Sequence, residues 1–259
     1  MSALMSVWNG APRVREAVES VLRQTMDDLE LIVIDDDSTD ETPAILGSFR
    51  DPRLRVERRA RTGLTRALGA ALELARAPLV ARLDADDVAL PERFERQRAF
   101  LDAHPDIGLL GTGAHEVDAE GRALAVVRPP TDDEAIRCAL IRRNPFVHSS
   151  VMMRRAIVER VGGYDPAFPV AQDYDLWMRM SRVTRMANLP QPLVVRHLLP
   201  GRIGSTRETE RLRAEARVRW RAVRAGTYPA WCALFALRPL VAQSLPEGAR
   251  RLLRRFGGR

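Results

Sequence analysis

The sequence predicts an α/β fold in which helices cover a mostly parallel β-sheet. Two observations predict it: apolar runs of strand length alternate with amphipathic stretches, and their intervals match βαβ units. The chain has 259 residues, 46% hydrophobic and 29% charged, which suffices for one such domain with an appendage. Ligands of open α/β sheets bind outside the carboxyl ends of the strands, so functional residues are expected there.

In the first half of the chain, predicted strands and predicted helices alternate regularly. Apolar runs predict strands at residues 4–8, 29–34, 54–56 and 79–83. Apolar side chains three and four residues apart predict helices at residues 13–24 and 64–75. A further helix is predicted after Asp40, with Pro43 in its first turn.

The second half is less regular. Strands are predicted at residues 107–113, 124–128 and 147–153, and helices at residues 131–142 and 172–183. From residue 206 the pattern is helical and rich in arginine. We therefore expect a main domain at residues 1–205 and a helical, basic extension at residues 206–259.

Composition argues against several classes of protein. No apolar run approaches the roughly 18–20 residues of a transmembrane helix, and no signal peptide is recognisable, so a cytoplasmic location is expected. Cys138 and Cys232 lie far apart without metal-type or redox-type spacing, which indicates buried, reduced thiols. Every basic residue behind the net charge of +7 is arginine, and the excess concentrates after Gly201. That distribution argues against a general nucleic-acid binder.

Three aspartates, Asp84, Asp86 and Asp87, follow the predicted strand at residues 79–83. Packed carboxylates repel one another unless protons, arginines or a cation neutralise them, and hard divalent ions prefer oxygen ligands. A solvated acidic turn before the next helix is the alternative interpretation. The position directly after a buried strand favours a metal site.

A second acidic run, Asp35-Asp36-Asp37-Ser38, ends the predicted strand at residues 29–34. Ser38 and Glu41 have the spacing of a capping box, which explains the serine as a helix N-cap. It explains less well the aspartates on the strand end, one of which could accept the ring N–H of a nucleobase.

A third acidic element surrounds Asp173, at the start of a predicted helix. Asp173 is either the N-cap of that helix or a general base that deprotonates an acceptor hydroxyl. The spacing alone leaves both interpretations open.

Seven segments in a fixed order carry a family resemblance over roughly residues 3–200. They are residues 5–9, 20–25, 29–40, 81–87, 144–152, 161–165 and 172–179. Together they resemble the family 2 glycosyltransferases, which have the GT-A fold, a Rossmann-like and mostly parallel sheet with flanking helices. No single segment is decisive, but seven in register are very specific.

The resemblance implies roles on the donor side. Trp8 matches the aromatic side chain that packs on the nucleotide base, and Asp36 matches the aspartate that accepts a hydrogen bond from it. Asp84 and Asp86 match the two aspartates of the Asp-x-Asp motif, and Asp87 follows it. Together these three resemble the ribose and metal contacts, and which of them ligates the ion differs among relatives.

The resemblance implies further roles around the acceptor. Asp173 matches the catalytic base, and the segment with His148 and Ser150 lines the cleft in similar enzymes. Arg196 and His197 are adjacent here, whereas relatives often show an Arg-x-His pair. That departure disfavours a phosphate or metal role for His197, so both residues are expected only to line the cleft.

The mechanism implied is an inverting, single-displacement transfer from a nucleotide-diphosphate sugar to the hydroxyl of a glycan or a lipid-linked acceptor. A Mn²⁺ or Mg²⁺ ion held by the aspartates would offset charge on the leaving diphosphate, and a UDP-sugar is the expected donor. The alternatives are a non-catalytic nucleotide-sugar-binding protein, a nucleotidyltransferase and a nucleic-acid-associated protein. Asp173 argues against the first, and the absence of a Gly-rich phosphate loop against the second.

The extension at residues 206–259 combines arginines with an apolar segment at residues 231–242. The arginines are Arg207, Arg211, Arg213, Arg217, Arg219, Arg221, Arg224, Arg250, Arg251, Arg254 and Arg255. An apolar segment with Trp231 flanked by arginines suits a helix in a membrane interface, which would make the protein peripheral on the inner face of the membrane. A helix pair that packs on the catalytic domain is the other interpretation.

Overall fold

The structure is a computed structural model that describes residues 1–199 and 207–237. The chain divides into two compact units, Met1–Pro200 and Gly201–Arg259. In the described part of the first unit, nine strands form one mixed, mostly parallel sheet, and helices alternate with them along the chain. The α/β prediction is confirmed.

The strands are β1 (Ser2–Val7), β2 (Glu30–Asp35), β3 (Leu54–Arg58), β4 (Leu79–Arg82), β5 (Val88–Ala89), β6 (Ile107–Val117), β7 (Ala123–Val127), β8 (Met152–Arg154) and β9 (Arg185–His197). The helices are α1 (Val14–Leu22), α2 (Thr42–Gly47), α3 (Leu64–Leu74), α4 (Arg93–Ala103), α5 (Asp133–Leu140), α6 (Arg155–Arg160), α7 (Gln172–Met180) and α8 (Glu208–Arg224). Two 3₁₀ turns lie at His148–Ser150 and Ala230–Cys232.

The sheet has the order β3-β2-β1-β4-β8-β6-β9-β5, and β7 pairs with β6 off this path. The first four strands are parallel to one another. Strand β8 runs antiparallel to β4 and β6, whereas β6 and β9 are parallel. Every residue of β1 and β4 is buried, as expected for parallel strands covered on both faces. All carboxyl ends of β1, β2 and β4 therefore meet at one edge.

Two parts of the second half differ from the prediction. Residues 147–153 do not form one strand: Ser150 N donates to Val147 O at 2.9 Å, which closes a 3₁₀ turn, and the strand begins only at Met152. The sequence pattern predicts no strand at β9, which contains Pro190 and Pro192. The β6–β9 register shifts at Thr112/Gly113, opposite these prolines. Such an irregularity tolerates residues that lack an N–H.

Two local predictions are wrong. Helix α2 begins at Thr42 and Glu41 is its N-cap, so Ser38 and Glu41 form no capping box. The side-chain hydrogen bond at the start of α2 comes from Asp40 instead. Its Oδ1 accepts from the backbone N–H of Thr42, the first residue of the helix, at 3.0 Å. Cys138 is exposed on α5, so only Cys232 is the buried thiol that was expected.

The described part of the second unit consists of α8, the 3₁₀ turn at Ala230–Cys232 and the helical residues 233–237. Gly226, between α8 and the 3₁₀ turn, has φ +70°. The helical prediction for this region agrees with α8. The end of the predicted apolar segment, residues 238–242, and the arginines at 250, 251, 254 and 255 lie outside the described residues. Among the residues described, no helix is both long and apolar enough to span a bilayer.

Candidate functional site

Asp84, Asp86 and Asp87 form a tight cluster where β4 ends. The chain turns here, since Asp87 N donates to Asp84 O at 3.2 Å. One carboxylate oxygen from each residue lies within 4.8 Å of the others. The turn thus presents three oxygen ligands from four consecutive residues, the kind of donor set that hard divalent cations prefer.

Arg82 lies beneath this cluster and is fully buried. Its Nη2 forms an ion pair with Asp84 Oδ1. Burial works against ionisation of Asp84, but the charge of Arg82 and hydrogen bonds from Arg82 and Ser149 outweigh it, so the pKa of Asp84 is held well below its usual range. Asp84 is therefore a carboxylate anion, and its ion pair with Arg82 fixes the orientation of that carboxylate.

Asp87 has the opposite electrostatic character. It is buried, its Oδ1 accepts from His197 N at 3.0 Å, and its Oδ2 contacts Ser149 Oγ. Burial, together with repulsion from Asp84 and Asp86, raises the pKa of Asp87. A divalent cation would relieve that repulsion, so the donor set fits a Mn²⁺ or Mg²⁺ ion both in chemistry and in charge.

Ser149 joins the two carboxylates. Its hydroxyl lies 2.6 Å from Asp84 Oδ2 and also contacts Asp87 Oδ2, although a hydroxyl has one proton to donate. Ser150, the residue predicted to line the cleft, is fully buried and instead hydrogen-bonds Thr112 N at 3.0 Å and Val147 O at 2.9 Å. The 3₁₀ turn thus directs Ser149, not Ser150, at the acidic cluster.

His197 and Arg196 lie at the end of β9 beside the cluster. His197 Nδ1 donates to the Asp86 carbonyl at 2.6 Å, and its Nε2 accepts from Arg13 Nη1 at 2.9 Å. A carbonyl only accepts and a guanidinium only donates, so these contacts select the neutral Nδ1–H tautomer. Arg196 pairs with Glu116 on the neighbouring strand at 3.0 Å. His197 therefore supports the aspartate turn through its backbone and ring contacts.

Asp36 lies at the end of β2 and is buried. Its Oδ1 accepts from Thr62 N at 2.7 Å and its Oδ2 from Gly63 N at 2.8 Å. Gly63 has φ +88°, a conformation that favours glycine, and it caps α3. A carboxylate has about four acceptor positions, so Asp36 retains capacity for a further donor such as a base N–H.

Trp8 follows β1 and is 45% exposed. The guanidinium of Arg61 lies 3.4 Å from its ring centroid, in a cation–π contact. Arg61 directly precedes the Thr62–Gly63 pair that binds Asp36. One loop therefore engages both residues that the sequence predicts to bind the base.

The acidic run after β2, Asp35–Ser38, forms a tight turn whose polar groups are satisfied locally. Ser38 Oγ accepts from Asn9 N at 2.9 Å, and Asp35 Oδ1 accepts from Ser38 N at 2.9 Å. Asp37 has φ +65° and pairs with the exposed Arg58 at 3.0 Å. These contacts attach the end of β2 to the segment that follows β1.

Asp36 and Asp84 leave the sheet on either side of β1. Asp36 N donates to Val7 O at 2.8 Å, and Leu83 N donates to Leu4 O at 3.2 Å. Strands on opposite sides of a common neighbour lie about 10 Å apart. The two aspartates therefore share one edge of the sheet, with Trp8 at the end of the strand between them.

Asp173 lies in the first turn of α7, after Ala171, whose φ is +56°. It is therefore not the N-cap. Its Oδ2 accepts from Asn144 Nδ2 at 2.7 Å. Burial raises the pKa of Asp173, although hydrogen bonds from the Tyr174 backbone and Asn144 oppose that effect. A carboxylate with a raised pKa is a stronger base than an ordinary aspartate.

Tyr164 and His148 contact each other, and His148 also contacts α7. His148 Nε2 lies 3.2 Å from the Tyr164 hydroxyl, and the His148 ring centroid lies 6.0 Å from the centroids of both Tyr164 and Trp177. Burial raises the pKa of Tyr164; Arg82 opposes this effect, and the charges of Asp173 and Asp84 add to it. His148 thereby connects the segment of Ser149, which contacts Asp84, to α7, whose first turn carries Asp173.

Burial and the charge of Arg82 lower the pKa of His148 well below its usual value, so its ring is neutral at physiological pH. The sequence interpretation missed Arg82, Ser149, Asn144 and Arg61. Arg82 carried a signal, because a charge inside an apolar strand needs a buried partner. The other three carried none, since their partners come from distant segments.

Comparisons of sequence agree with this geometry. The model of a family described as "Glycosyl transferase family 2" matches residues 2–162. The chain is 33% identical over 199 residues to the amylovoran biosynthesis glycosyltransferase AmsE of Erwinia amylovora, which is 74% of each chain. It is 31% identical over 185 residues to the putative glycosyltransferase EpsE of Bacillus subtilis (strain 168), covering 69% of this chain and 66% of that one.

Solved structures share the fold. One is S. aureus TarS 1-349 in complex with UDP-GlcNAc, with a TM-score of 0.69 and 20% identity, covering 84% of this chain. This chain spans 65% of the length of that TarS fragment. Another is the mannosyltransferase PcManGT from Pyrobaculum calidifontis in complex with GDP-Man and Mn²⁺, with a TM-score of 0.65, 22% identity and coverage of 98% and 78%. These likenesses establish the GT-A-like fold alone.

Proposed function

The chain belongs to glycosyl transferase family 2, and we propose that it transfers a sugar from a nucleoside-diphosphate sugar to an acceptor hydroxyl with inversion at the anomeric carbon. The observation that carries the proposal is a link between two acidic groups from distant segments. Ser149 Oγ lies 2.6 Å from Asp84 Oδ2, and the adjacent His148 ring lies 6.0 Å from the Trp177 ring of α7, whose first turn carries Asp173. We infer that the donor-side acidic cluster and Asp173 border one cleft.

The donor nucleotide is proposed to lie along the shared sheet edge. Its base packs on Trp8 and donates to Asp36, and its ribose and diphosphate lie toward the turn at Asp84. Asp86 and Asp87, beside the oriented Asp84, are the residues proposed to hold a Mn²⁺ or Mg²⁺ ion. When bound, such an ion offsets negative charge on the diphosphate.

Asp173 is proposed to act as the general base. Its carboxylate takes the proton of the acceptor hydroxyl while that oxygen attacks the anomeric carbon. The bond from the anomeric carbon to the diphosphate oxygen breaks, and the nucleoside diphosphate leaves with the electron pair. Asn144 Nδ2 donates to Asp173 Oδ2 at 2.7 Å and so helps to fix the orientation of the carboxylate.

The substrates are proposed at the level of class. AmsE is named for amylovoran biosynthesis, and by analogy the acceptor here is a growing glycan or a lipid-linked saccharide. A UDP-sugar is the first donor to test, with guanosine and deoxythymidine donors as alternatives. A thermal-shift panel of these nucleotide sugars, with and without Mn²⁺, identifies the base from the largest stabilisation.

Asp173→Asn tests the catalytic role. The amide keeps the shape of the side chain but accepts no proton, so kcat should fall by about 10²–10⁴-fold. The dissociation constant for the donor, measured by calorimetry, should stay unchanged. Weakened nucleotide binding would contradict the assignment, and a wild-type protein that binds donor but transfers no sugar would be a non-catalytic binder.

The neighbouring acid provides a matched control. Asp175, on the same helix, pairs with Arg179 at 2.7 Å and is buried. Asp175→Asn should lower stability yet leave the turnover of the folded enzyme largely intact. Comparable losses of turnover in both variants would indicate a general effect on α7.

The pH profile sharpens the same assignment. Because only deprotonated Asp173 accepts a proton, activity should fall as the pH drops through its pKa, which burial raises above the usual aspartate value. The Asn144 hydrogen bond lowers that pKa. Asn144→Ala should therefore move the acidic limb of the pH profile of kcat to higher pH. If the limb does not shift, the group that titrates there is not Asp173.

A further inference from the structure

The two units of the chain carry opposite charge. Residues 1–200 contain 27 arginines and 30 acidic residues, a net charge of −3. Residues 201–259 contain 14 arginines and four glutamates, a net charge of +10. The basic character of the protein therefore belongs to its second unit, which has no part in the proposed chemistry.

Helix α8 concentrates this charge on one face. Four arginines and a tryptophan repeat at helical spacing, and all five are exposed: Arg213, Arg217, Trp220, Arg221 and Arg224. Residues at i, i+4, i+7, i+8 and i+11 project from the same side of a helix. We refer to these five residues as the basic stripe.

Two of the three glutamates of α8 pair with arginines outside the basic stripe. Glu210 pairs with Arg207 at 2.5 Å, and Glu215 pairs with both Arg211 and Arg219. In the described part of this unit, Glu208 is the one acidic residue besides these two, and it lies at the first position of α8. The stripe contains four arginines and no acidic residue, in a unit whose net charge is +10.

Exposed apolar side chains follow the end of α8. Trp231, Leu234 and Leu237 are 62%, 67% and 51% exposed, at a spacing of three residues. The 3₁₀ turn that carries Trp231 packs against α8, and the Trp231 ring meets Phe235 edge-on at 6.0 Å. Three large apolar side chains exposed together are unusual on a soluble surface and indicate an interaction site.

We propose that the basic stripe and these three apolar residues form a surface that docks on an anionic lipid bilayer. Arginines near the bilayer are attracted by acidic headgroups, and tryptophan prefers the headgroup boundary. Transfer of the two leucine side chains from water into the acyl region is favourable, because it buries apolar surface. A nucleic acid would satisfy the arginines but would leave the leucines in water, so the combination favours a bilayer.

Flotation of the full chain with vesicles tests the proposal. Vesicles of phosphatidylcholine alone are compared with vesicles in which half of the lipid is phosphatidylglycerol, at low and high salt. Binding should require the anionic lipid and weaken with salt. Each arginine contributes roughly fivefold, so replacing the four stripe arginines by glutamine should weaken binding about 10²–10³-fold.

A charge-matched variant provides the control. Arg23, Arg96, Arg98 and Arg185 are exposed in the first unit, and their replacement by glutamine removes the same charge. This control should keep nearly full binding. Equal losses of vesicle binding in both variants would show that binding depends on net charge alone, and this result would overturn the proposed surface.

The apolar half of the surface has its own test. A Trp231→Ser, Leu234→Ser, Leu237→Ser variant should lose roughly tenfold in vesicle binding. The exposed pair Leu124 and Val126 on β7, changed to serine, should lose nothing. All substituted positions are solvent-exposed, and circular dichroism verifies that each variant is folded. If the protein binds RNA, and this binding depends on the stripe arginines but not on the three apolar residues, the partner of this surface is a nucleic acid and the bilayer proposal is wrong.

Discussion

The two acidic turns at the sheet edge look alike in sequence but are stabilised differently. Each follows a buried parallel strand and contains three aspartates within four residues. In the turn after β2, backbone N–H groups of Thr62, Gly63 and Ser38 satisfy the buried carboxylates. In the turn after β4, a fully buried arginine and a serine hydroxyl hold them.

This difference separates two kinds of chemistry. Carboxylates held by neutral N–H donors keep their remaining lone pairs for a neutral donor, such as a base N–H. Carboxylates packed around a buried guanidinium diverge in pKa, with Asp84 lowered and Asp87 raised, and this arrangement suits a cation. The residue types in the two motifs are the same, and their partners give them different functions.

The largest expected contrast concerns the two arginines beside the turns. Arg82→Met should destabilise the fold by about 3–5 kcal/mol, because it leaves the charge of Asp84 without its buried partner. Arg58→Met removes an exposed guanidinium that pairs with Asp37 at 3.0 Å, donates to Ser38 O at 3.1 Å and approaches Asp35 only to 3.9 Å, and it should cost about 1 kcal/mol. Urea unfolding measures both. Similar losses would mean that the two turns do not differ in how they are held.

A smaller contrast is expected in ligand binding. Asp86→Ala should remove the enhancement of nucleotide-diphosphate binding by Mn²⁺. Asp36→Ala should weaken binding about 10–100-fold, equally with and without the metal, because it removes a charged hydrogen-bond acceptor. Calorimetric titrations with and without Mn²⁺ separate the two results. Retention of the metal enhancement in Asp86→Ala would refute its role as a ligand.

The smallest contrast concerns the two buried serines. Ser149→Ala should raise the Mn²⁺ concentration needed for half-maximal nucleotide binding by about tenfold, because the residues that orient metal ligands tune their affinity. Ser149→Thr, which keeps the hydroxyl, should restore most of it. Ser38→Ala, which removes the hydrogen bond from Asn9 N to the turn after β2, should leave the metal requirement unchanged. An equal response to both substitutions would remove the distinction between the turns.

Much of the fold follows from local patterns. The strands β1 to β4 and helices α1 to α3 lie within two or three residues of their predicted positions, because each has a continuous apolar run or a clear apolar stripe. Strand β9 and the 3₁₀ turn before β8 were not predictable in this way. Prolines interrupt the first, and Ser150 shapes the second by contacts with Thr112, which is remote in sequence.

The sequence by itself determined the βαβ order and placed the acidic residues at strand ends, because apolar periodicity and strand direction are local properties. Only the tertiary structure decided which groups the aspartates meet. Ser149 faces Asp84 and Asp87, Asn144 meets Asp173, and Arg61 covers Trp8 because β-sheet pairing brings remote segments together. The charge of each site depends on those neighbours, since burial and nearby charges set a pKa.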